Sequence, residues 1–530
     1  MGFIFEQTVG KHRYVFEGEA YRDKDGNPRN RRVSIGKIDP ITMQRVYKPE
    51  YIERMKTAGT PVPITPTEKM FSIDDIKKSS VKDFGALYLL RKIAEKNGLI
   101  EVIERSLGDI WQEVFMLVSF LVVTGDPFTY CEDWIKTTES LPVGSMTSQR
   151  ISELLAAISA ESREQFYKSW CNLRSEREYL ALDITSTSSY SELIDDVEWG
   201  YNRDSEDLPQ INICMLMGVE SMLPVYQTLY SGSISDVSTL DTTLQGFSAI
   251  IEGKTILAVM DKGFYKKSNI DSMLDSKNVR RFIVPAKFST TFAKKQVESE
   301  RKDIDSVENT IVIGGNSLRG VTKLRSWYGR SEVYTHIFYN AKKAFNAREA
   351  LYSLVANLKE EVESDPAKYA ESAAHLKYLN IRKSSKADSG YTVSIRLGVI
   401  ENELKHCGWL VVISNDVSGA KEALEIYRAK DVVEKGFLRL KRDLDLGRLR
   451  VHRQDRALNK VFIGFIALII LSEVHKVMTE CNLYRSMTMQ QLIRTLSKLR
   501  VHVVAGERIV QPVTKTQREI FEAFGVPLPL

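Results

Sequence analysis

The sequence predicts an α/β protein with a mixed-sheet core. A β-rich insertion interrupts that core, and a small β unit and a helical domain precede it. Three observations carry this. The apolar periodicity changes from helical to strand-like at residue 179. From there the elements run β-β-β-α-β-α-β. After an irregular stretch, one strand and two long helices complete the pattern. At roughly 100–200 residues per domain, 530 residues fit about three or four domains.

Residues 1–60 read as a small basic β-hairpin unit. Strand-like Arg13–Arg22 and Arg31–Gly36 flank Asp23-Lys24-Asp25-Gly26-Asn27-Pro28, a hairpin signal. Arg13, Arg22, Arg29, Arg31 and Arg32 make the strands basic. Pro61-Val62-Pro63-Ile64-Thr65-Pro66 reads as a linker. Residues 67–175 are helical. Phe84–Lys96 stops at Asn97-Gly98, Ile110–Val123 is strongly apolar, and Ser148–Ile158 follows the turn Leu141–Gly144. Two helices around a Gly-containing turn fit either a helix-turn-helix or an all-helical packing module.

Residues 179–287 are the first part of the core. Tyr179–Asp183 is an apolar run ending in Asp. Ile211–Val219 and Met222–Ser231 are strands, Ser235–Ile251 is a helix with a Ser-Asp start, and Thr255–Asp261 is a second buried strand ending in Asp. Helix Lys266–Asp275 and strand Arg281–Ala286 follow. Residues 288–407 form the insertion, with strand-like Thr310–Ile313, Val333–Tyr339 and Tyr391–Leu397 and a charged helix Ala344–Glu363. Residues 408–475 return to the core through strand Trp409–Ser414, a long helix over 418–443 and the apolar helix Val461–His475. Residues 476–530 are a C-terminal tail, a candidate for dimerisation or DNA contact, with helix Met489–Lys498 and a β or turn region Val501–Val510.

Composition is ordinary for a soluble fold: 43% apolar, 27% charged, net charge +5. Affinity for nucleic acid must then come from local patches. Cys131, Cys171, Cys214, Cys407 and Cys481 contain no CxxC pair, which indicates neither a disulfide framework nor zinc. They fit a reducing, cytoplasmic compartment. Met1–Val9 lacks a signal-peptide pattern, and the apolar run Val461–Leu471 is too short to span a bilayer, so no membrane partner is expected.

The two strand-terminal aspartates define the candidate chemistry. Cleaving a phosphodiester at neutral pH needs an activated oxygen nucleophile and neutralisation of the phosphate, which two Mg²⁺ ions about 3.5–4 Å apart supply. Mg²⁺ takes oxygen ligands and only one or two carboxylates per ion. Asp183 and Asp261 end apolar strands, where open α/β sheets place their sites. Along the 418–443 helix, Tyr427, Lys430, Glu434 and Lys441 fall at roughly 0°, 300°, 340° and 320°, one face about 60° wide. Val433, Phe437 and Leu440 lie on another flank.

These residues resemble the signature of bacterial insertion-sequence transposases of the DDE type, Y-x2-R-x3-E-x6-K, here Tyr427-x2-Lys430-x3-Glu434-x6-Lys441. The blocks Leu182-Asp183-Ile184-Thr185-Ser186 and Val259-Met260-Asp261-Lys262-Gly263-Phe264 resemble the family's two aspartate blocks. Leu223-Pro224-Val225 through Gly232-Ser233-Ile234-Ser235-Asp236 is similar to its strand-turn-helix. The resemblance covers about residues 179–475. It implies a ribonuclease H-like core in which Asp183, Asp261 and Glu434 are catalytic and hold two Mg²⁺ ions, with Mn²⁺ able to substitute. It further implies that Tyr427, Lys430 and Lys441 contact DNA and that Trp409 stacks on a flipped base. Lys430 departs from the family Arg: it keeps the charge and loses the bidentate fork. Lys262, Arg439 and Arg448 belong to basic clusters flanking these blocks and are candidate DNA contacts.

The implied function is metal-dependent DNA cleavage at transposon ends and transfer of the 3′-OH into target DNA. The implied partners are double-stranded DNA, as terminal inverted repeats and target, and a second copy in a homodimer, since two ends must be synapsed. The implied location is a bacterial cytoplasm, at the nucleoid. End recognition falls to the N-terminal hairpin or the 67–175 helices. Two alternatives stay open: a ribonuclease H-like nuclease or resolvase without strand transfer, and an inactive transposase-derived DNA-binding protein.

Overall fold

Asp23 closes the first hairpin: its Oδ1 accepts the amides of Asp25 and Asn27 at 3.0 and 2.9 Å, while Arg29 donates to Oδ2 at 3.0 Å. The computed structural model describes residues 3–10, 12–39, 44–58, 73–174, 178–251, 255–277, 279–385 and 389–529. The expected linker Pro61–Pro66 lies outside them. The chain divides into two units, residues 1–80 with 503–508, and residues 81–502 with 509–530.

In the first unit the hairpin strands His12–Arg22 and Pro28–Ile38 are flanked by Phe3–Val9 and Arg45–Tyr47, giving a four-stranded antiparallel sheet. Val15, Ile35, Ile38 and Tyr51 of helix Pro49–Thr57 make its small core. Several of its arginines are held within the sheet: Arg13 by Glu6 at 3.0 Å, Arg29 by Asp23, and Arg32 by Gln7 at 2.6 Å.

The second unit is organised by a nine-stranded sheet. Its strands, numbered within that sheet, are β1 (Leu180–Ser188), β2 (Gln210–Gly218), β3 (Pro224–Ser231), β4 (Ile256–Met260), β5 (Val279–Pro285), β6 (Thr310–Ile313), β7 (Asn316–Trp327), β8 (Ser331–Tyr339) and β9 (Trp409–Ser414). The order is β6-β7-β8-β9-β5-β4-β1-β2-β3. β1, β2 and β3 form an antiparallel meander, and β4 and β5 add parallel to β1. This is the mixed sheet expected for the core. β9 returns antiparallel to β5.

Three expectations change. β1 does not end at Asp183. It continues through Thr185–Ser188, paired with β2 as far as Gln210. Polar but β-branched or small residues carry the extension, and their hydroxyls are used: Thr187 donates to Leu446 O at 3.2 Å and Ser186 Oγ accepts from the Arg203 amide at 3.0 Å. The 418–443 helix is two helices, Ala420–Ala429 and Asp431–Arg442. At the junction the bonds tighten to i→i−3, Lys430 N to Tyr427 O at 3.3 Å and Val433 N to Lys430 O at 3.1 Å. The first strands of the insertion, β6 to β8, extend the main sheet through β9. Helix Ala341–Ser364 and hairpin Leu379–Lys383/Tyr391–Ile395 belong to a separate small cluster around Leu351, Val355 and Tyr378.

One hydrophobic core joins the sheet to the helices of residues 85–173. Val114–Val122 of helix Trp111–Thr124 are all buried, so this helix offers no face to a DNA groove and acts as a packing element. Helix Ser148–Ala157 is capped by Thr147, whose Oγ1 accepts the Arg150 amide at 3.2 Å. Helix Gln454–Glu480 is longer than the apolar run Val461–Leu471 suggests. By length and composition it and the stretch Leu99–Thr124 reach what a membrane crossing needs. Gln454–Glu480 nevertheless packs against Trp111–Thr124, Ser148–Ala157 and β3, with 78% of its apolar window buried.

Helix Asp431–Arg442 lies across β1 and β2, with Val433, Phe437 and Leu440 buried beneath it. Truncating its largest anchor, Phe437→Ala, is expected to cost about 3–5 kcal/mol. The check is urea unfolding against the unaltered protein.

Candidate active site

β4 ends at Met260, whose parallel partner on β1 is Leu182. The residues that follow, Asp261 and Asp183, are therefore neighbours at one end of the sheet. Helix Asp431–Arg442 reaches them because Gly436 lets it settle on β2, where a Cβ would meet Met217 Sδ at 2.4 Å. The Lys430 ammonium, 6% exposed, is the meeting point. Its Nζ lies 2.6 Å from Glu434 Oε1, 3.9 Å from Asp261 Oδ1 and 4.0 Å from Asp183 Oδ2.

The charges explain one another. Burial pushes the Asp183 carboxyl up to about 6, and Asp261 adds to this; the Lys430 ammonium, the Ile184 amide and Arg203 oppose it. The Ile184 amide donates to Asp183 Oδ1 at 2.9 Å. Burial also opposes the charge on Lys430. The hydrogen bond to Glu434 and the negative charges of Asp183 and Asp261 outweigh it and hold the lysine above its usual value. The half-buried Tyr427 phenol is raised by burial and then by Asp261, Glu434 and Asp183, so its hydroxyl stays protonated beside them.

The fold brings together Asp183, Asp261, Glu434, Lys430 and Tyr427. The other expected residues sit elsewhere. Lys441 Nζ pairs with Asp204 Oδ2 at 2.6 Å, and Arg448 pairs with Glu206 Oε2 at 2.7 Å under the Tyr190 ring. Lys262 is exposed directly after Asp261. Trp409 opens β9 at the same end of the sheet as Asp261, two strands away. Its ring lies against Tyr339, 4.8 Å between centroids, with the Arg301 guanidinium 5.2 Å away on the ring. Arg439 lies on a different face of its helix and does not join the carboxylates.

Sequence reasoning missed the Arg203–Asp236 ion pair, whose Arg203 also reaches Asn212 Oδ1 at 3.5 Å and acts on Asp183. It also missed Asp204 and Glu206, the acidic partners of Lys441 and Arg448. The only sequence signal was local charge: the β1–β2 loop carries Glu192, Asp195, Asp196, Glu198, Asp204, Glu206 and Asp207 against the single cation Arg203.

The donor set at the site is all oxygen, the chemistry that hard divalent cations take. Three carboxylates already face a buried cation there. Among the described residues no three acidic, histidine or cysteine side chains stand at metal-ligand spacing. Closing the carboxylates on an ion therefore requires Lys430 to give up its place between them. Lys430→Met leaves them without their counter-charge and is expected to lower stability by about 1–3 kcal/mol in chelator. Thermal unfolding of the two proteins in chelator measures this.

The chain matches the family described as "Transposase DDE domain" over residues 174–470. No curated protein matches it. Among solved structures it is similar to a piggyBac transposase, determined as a synaptic complex with hairpin DNA, at 10% identity and a TM-score of 0.37, covering 79% of this chain and 77% of that one. The family match spans more than half of the sequence and contains every residue around Lys430, so the chain belongs to the DDE transposases, enzymes that cut DNA and transfer the cut strand with divalent metal ions.

Proposed function

We propose that Asp183, Asp261 and Glu434 are the catalytic carboxylates of this transposase and hold two Mg²⁺ ions, with Mn²⁺ able to substitute. The observation that carries this reading is the convergence of the three acids on one buried ammonium. Bound there, the ions would activate water or a 3′-OH as nucleophile and neutralise the scissile phosphate. The chain's own groups do the rest. Asp183 and Asp261 are fixed by paired strands and Glu434 by a helix seated on the sheet, so the acids are held in advance of substrate. Displaced from between them, the Lys430 ammonium stays within reach of the phosphate backbone, beside the protonated Tyr427 hydroxyl. Lys441, Arg448 and Lys262 flank the site as further backbone contacts, and Arg439 extends them. For Trp409 to stack on a base, Arg301 must leave its ring.

The substrate we infer is double-stranded DNA carrying terminal inverted repeats, brought together by a homodimer and joined to target DNA. The basic N-terminal sheet and the 85–173 helices are the candidates for reading the ends. Among the described residues no cysteine forms a disulfide, which fits a reducing bacterial cytoplasm and action at the nucleoid.

Asp183→Asn, Asp261→Asn and Glu434→Gln should each abolish Mg²⁺-dependent cleavage of an end-bearing duplex while leaving its binding intact. Full cleavage by any one of them removes that residue from the triad. Supplying pre-cut 3′-OH ends and a target plasmid separates transfer from hydrolysis: joined products are expected, and cleavage without joining would indicate a nuclease.

The Asp204–Lys441 pair yields a further expectation. Asp204→Asn frees Lys441 and removes a negative charge from the DNA path. Affinity for duplex DNA of arbitrary sequence should rise several-fold at low salt and the gain should shrink as salt increases. Fluorescence anisotropy across a salt series tests this, and unchanged affinity would place Lys441 off the path.

A further inference from the structure

On the far side of helix Asp431–Arg442 lies a cleft of about 820 Å³. Its walls come from the C-terminal end of helix Trp111–Thr124 with Gly125, this helix, the end of helix Gln454–Glu480 and the start of helix Met489–Ser497. Four cations line it: Lys435, Arg439, Arg442 and Arg494. Arg439 is the unusual one. It is 9% exposed, and among the described residues its guanidinium has neither a hydrogen bond nor an ion pair. Burial lowers its pKa, and the carboxylate that acts on it, Asp443, is already held by Arg442 at 2.8 and 3.2 Å. A buried guanidinium left in this state costs free energy unless a ligand completes it.

The remaining walls also favour an anion. Helix Met489–Ser497 begins in the cleft with a capping box: Thr488 Oγ1 accepts the Gln491 amide at 3.2 Å, and Gln491 Oε1 accepts the Thr488 amide at 2.7 Å. That leaves the first-turn amides of Met489 and Gln490 at the wall, unused by the helix. His475 is pushed down to about 4 by burial and by the charges of Arg439 and Lys435, and its Nδ1 shares a hydrogen bond of 2.7 Å with Tyr484. It is neutral, so it is a polar wall and adds no charge. Among the described residues Asp443 is the only carboxylate lining the cleft.

We propose that this cleft is a second phosphate site, centred on Arg439 and Arg494, which receives a backbone phosphate of the DNA that passes the triad. The assignment rests on the transposase reading above for the identity of the strand. Helix geometry supplies the path. With Glu434 at about 0°, Leu438, Arg442, Lys435 and Arg439 follow at roughly 40°, 80°, 100° and 140° around the helix. Arg439 is roughly 7.5 Å further along the axis. An exposed face therefore leads from the triad into the cleft, and a cleft of this size accommodates a sugar-phosphate unit. Arg439 is a positioning residue for the strand. It touches none of the groups around Lys430.

The test uses the full-length protein, a short duplex of arbitrary sequence and inorganic phosphate as probes. Arg494→Gln is exposed and should fold normally; Arg439→Gln is its buried counterpart. In each variant the slope of log affinity against log salt should shrink by about 0.9, one phosphate contact. An unchanged slope in both variants overturns the proposal. Inorganic phosphate should raise the melting temperature of the unaltered protein, and less so that of Arg494→Gln. A phosphate-dependent rise with unchanged DNA slopes means a site for small phosphates only and overturns the strand assignment. Failure of the triad reading would appear separately, as cleavage surviving Asp183→Asn, and would leave the slopes to be judged on their own.

Discussion

The parallel pairing of β4 with β1 is the constraint on which the rest depends. It sets Leu182 beside Met260 and so leaves Asp183 and Asp261 side by side, one inside a continuing strand and one just past a strand's end. Two carboxylates at that spacing repel, and burial of Asp183 worsens the repulsion. The fold answers with one ammonium and a helix to carry it. Because Lys430 and Glu434 are four residues apart at that helix's start, the same element supplies both the counter-charge and the third acid. Gly436 and Phe437 then hold the helix against the sheet, so packing and electrostatics fix the same geometry.

The surroundings follow the same logic with the signs reversed. The β1–β2 loop is acidic, and two of its acids meet the cations that extend beyond the three carboxylates, Lys441 and Arg448. These pairs are partly exposed, so each is worth little to stability. Their effect is to hold two long side chains in place and to mask their charge. A polyanion of higher charge density displaces a single carboxylate readily. Arg439, by contrast, has no such placeholder, and this difference separates it from the other cations of the helix.

Much of this was legible in the sequence, and the limits have physical causes. The face shared by Tyr427, Lys430 and Glu434 follows from helical periodicity alone, which is why these three come together. Lys441 departs because it lies two turns, roughly 10.5 Å, further along the same helix than Glu434, and because its partner Asp204 lies 237 residues earlier. Asp261 was readable as a strand end. Asp183 was misplaced as one, since the Thr-Ser run after it is polar, and only pairing with β2 makes those residues a strand. The strands of the insertion were visible locally, but their union with the main sheet depends on β8 meeting β9 about 75 residues later, a contact that no local pattern encodes. The Arg203–Asp236 pair is invisible for the same reason.

Lys430 places an ammonium, not a guanidinium, among the three acids, and the geometry gives that choice a consequence. A guanidinium is planar and directs its donors in a fixed fork, suited to gripping one carboxylate or phosphate in two places. The position here is a point among three acids that approach from two strands and one helix, at 2.6 to 4.0 Å. A compact ammonium with three rotatable donors suits that arrangement better, and its single close contact is to the most exposed of the three acids, Glu434, 56% exposed. That contact is the easiest to exchange for water. In the proposed function the lysine neutralises the site at rest and gives way to a cation or a phosphate, an exchange that a bidentate arginine would resist.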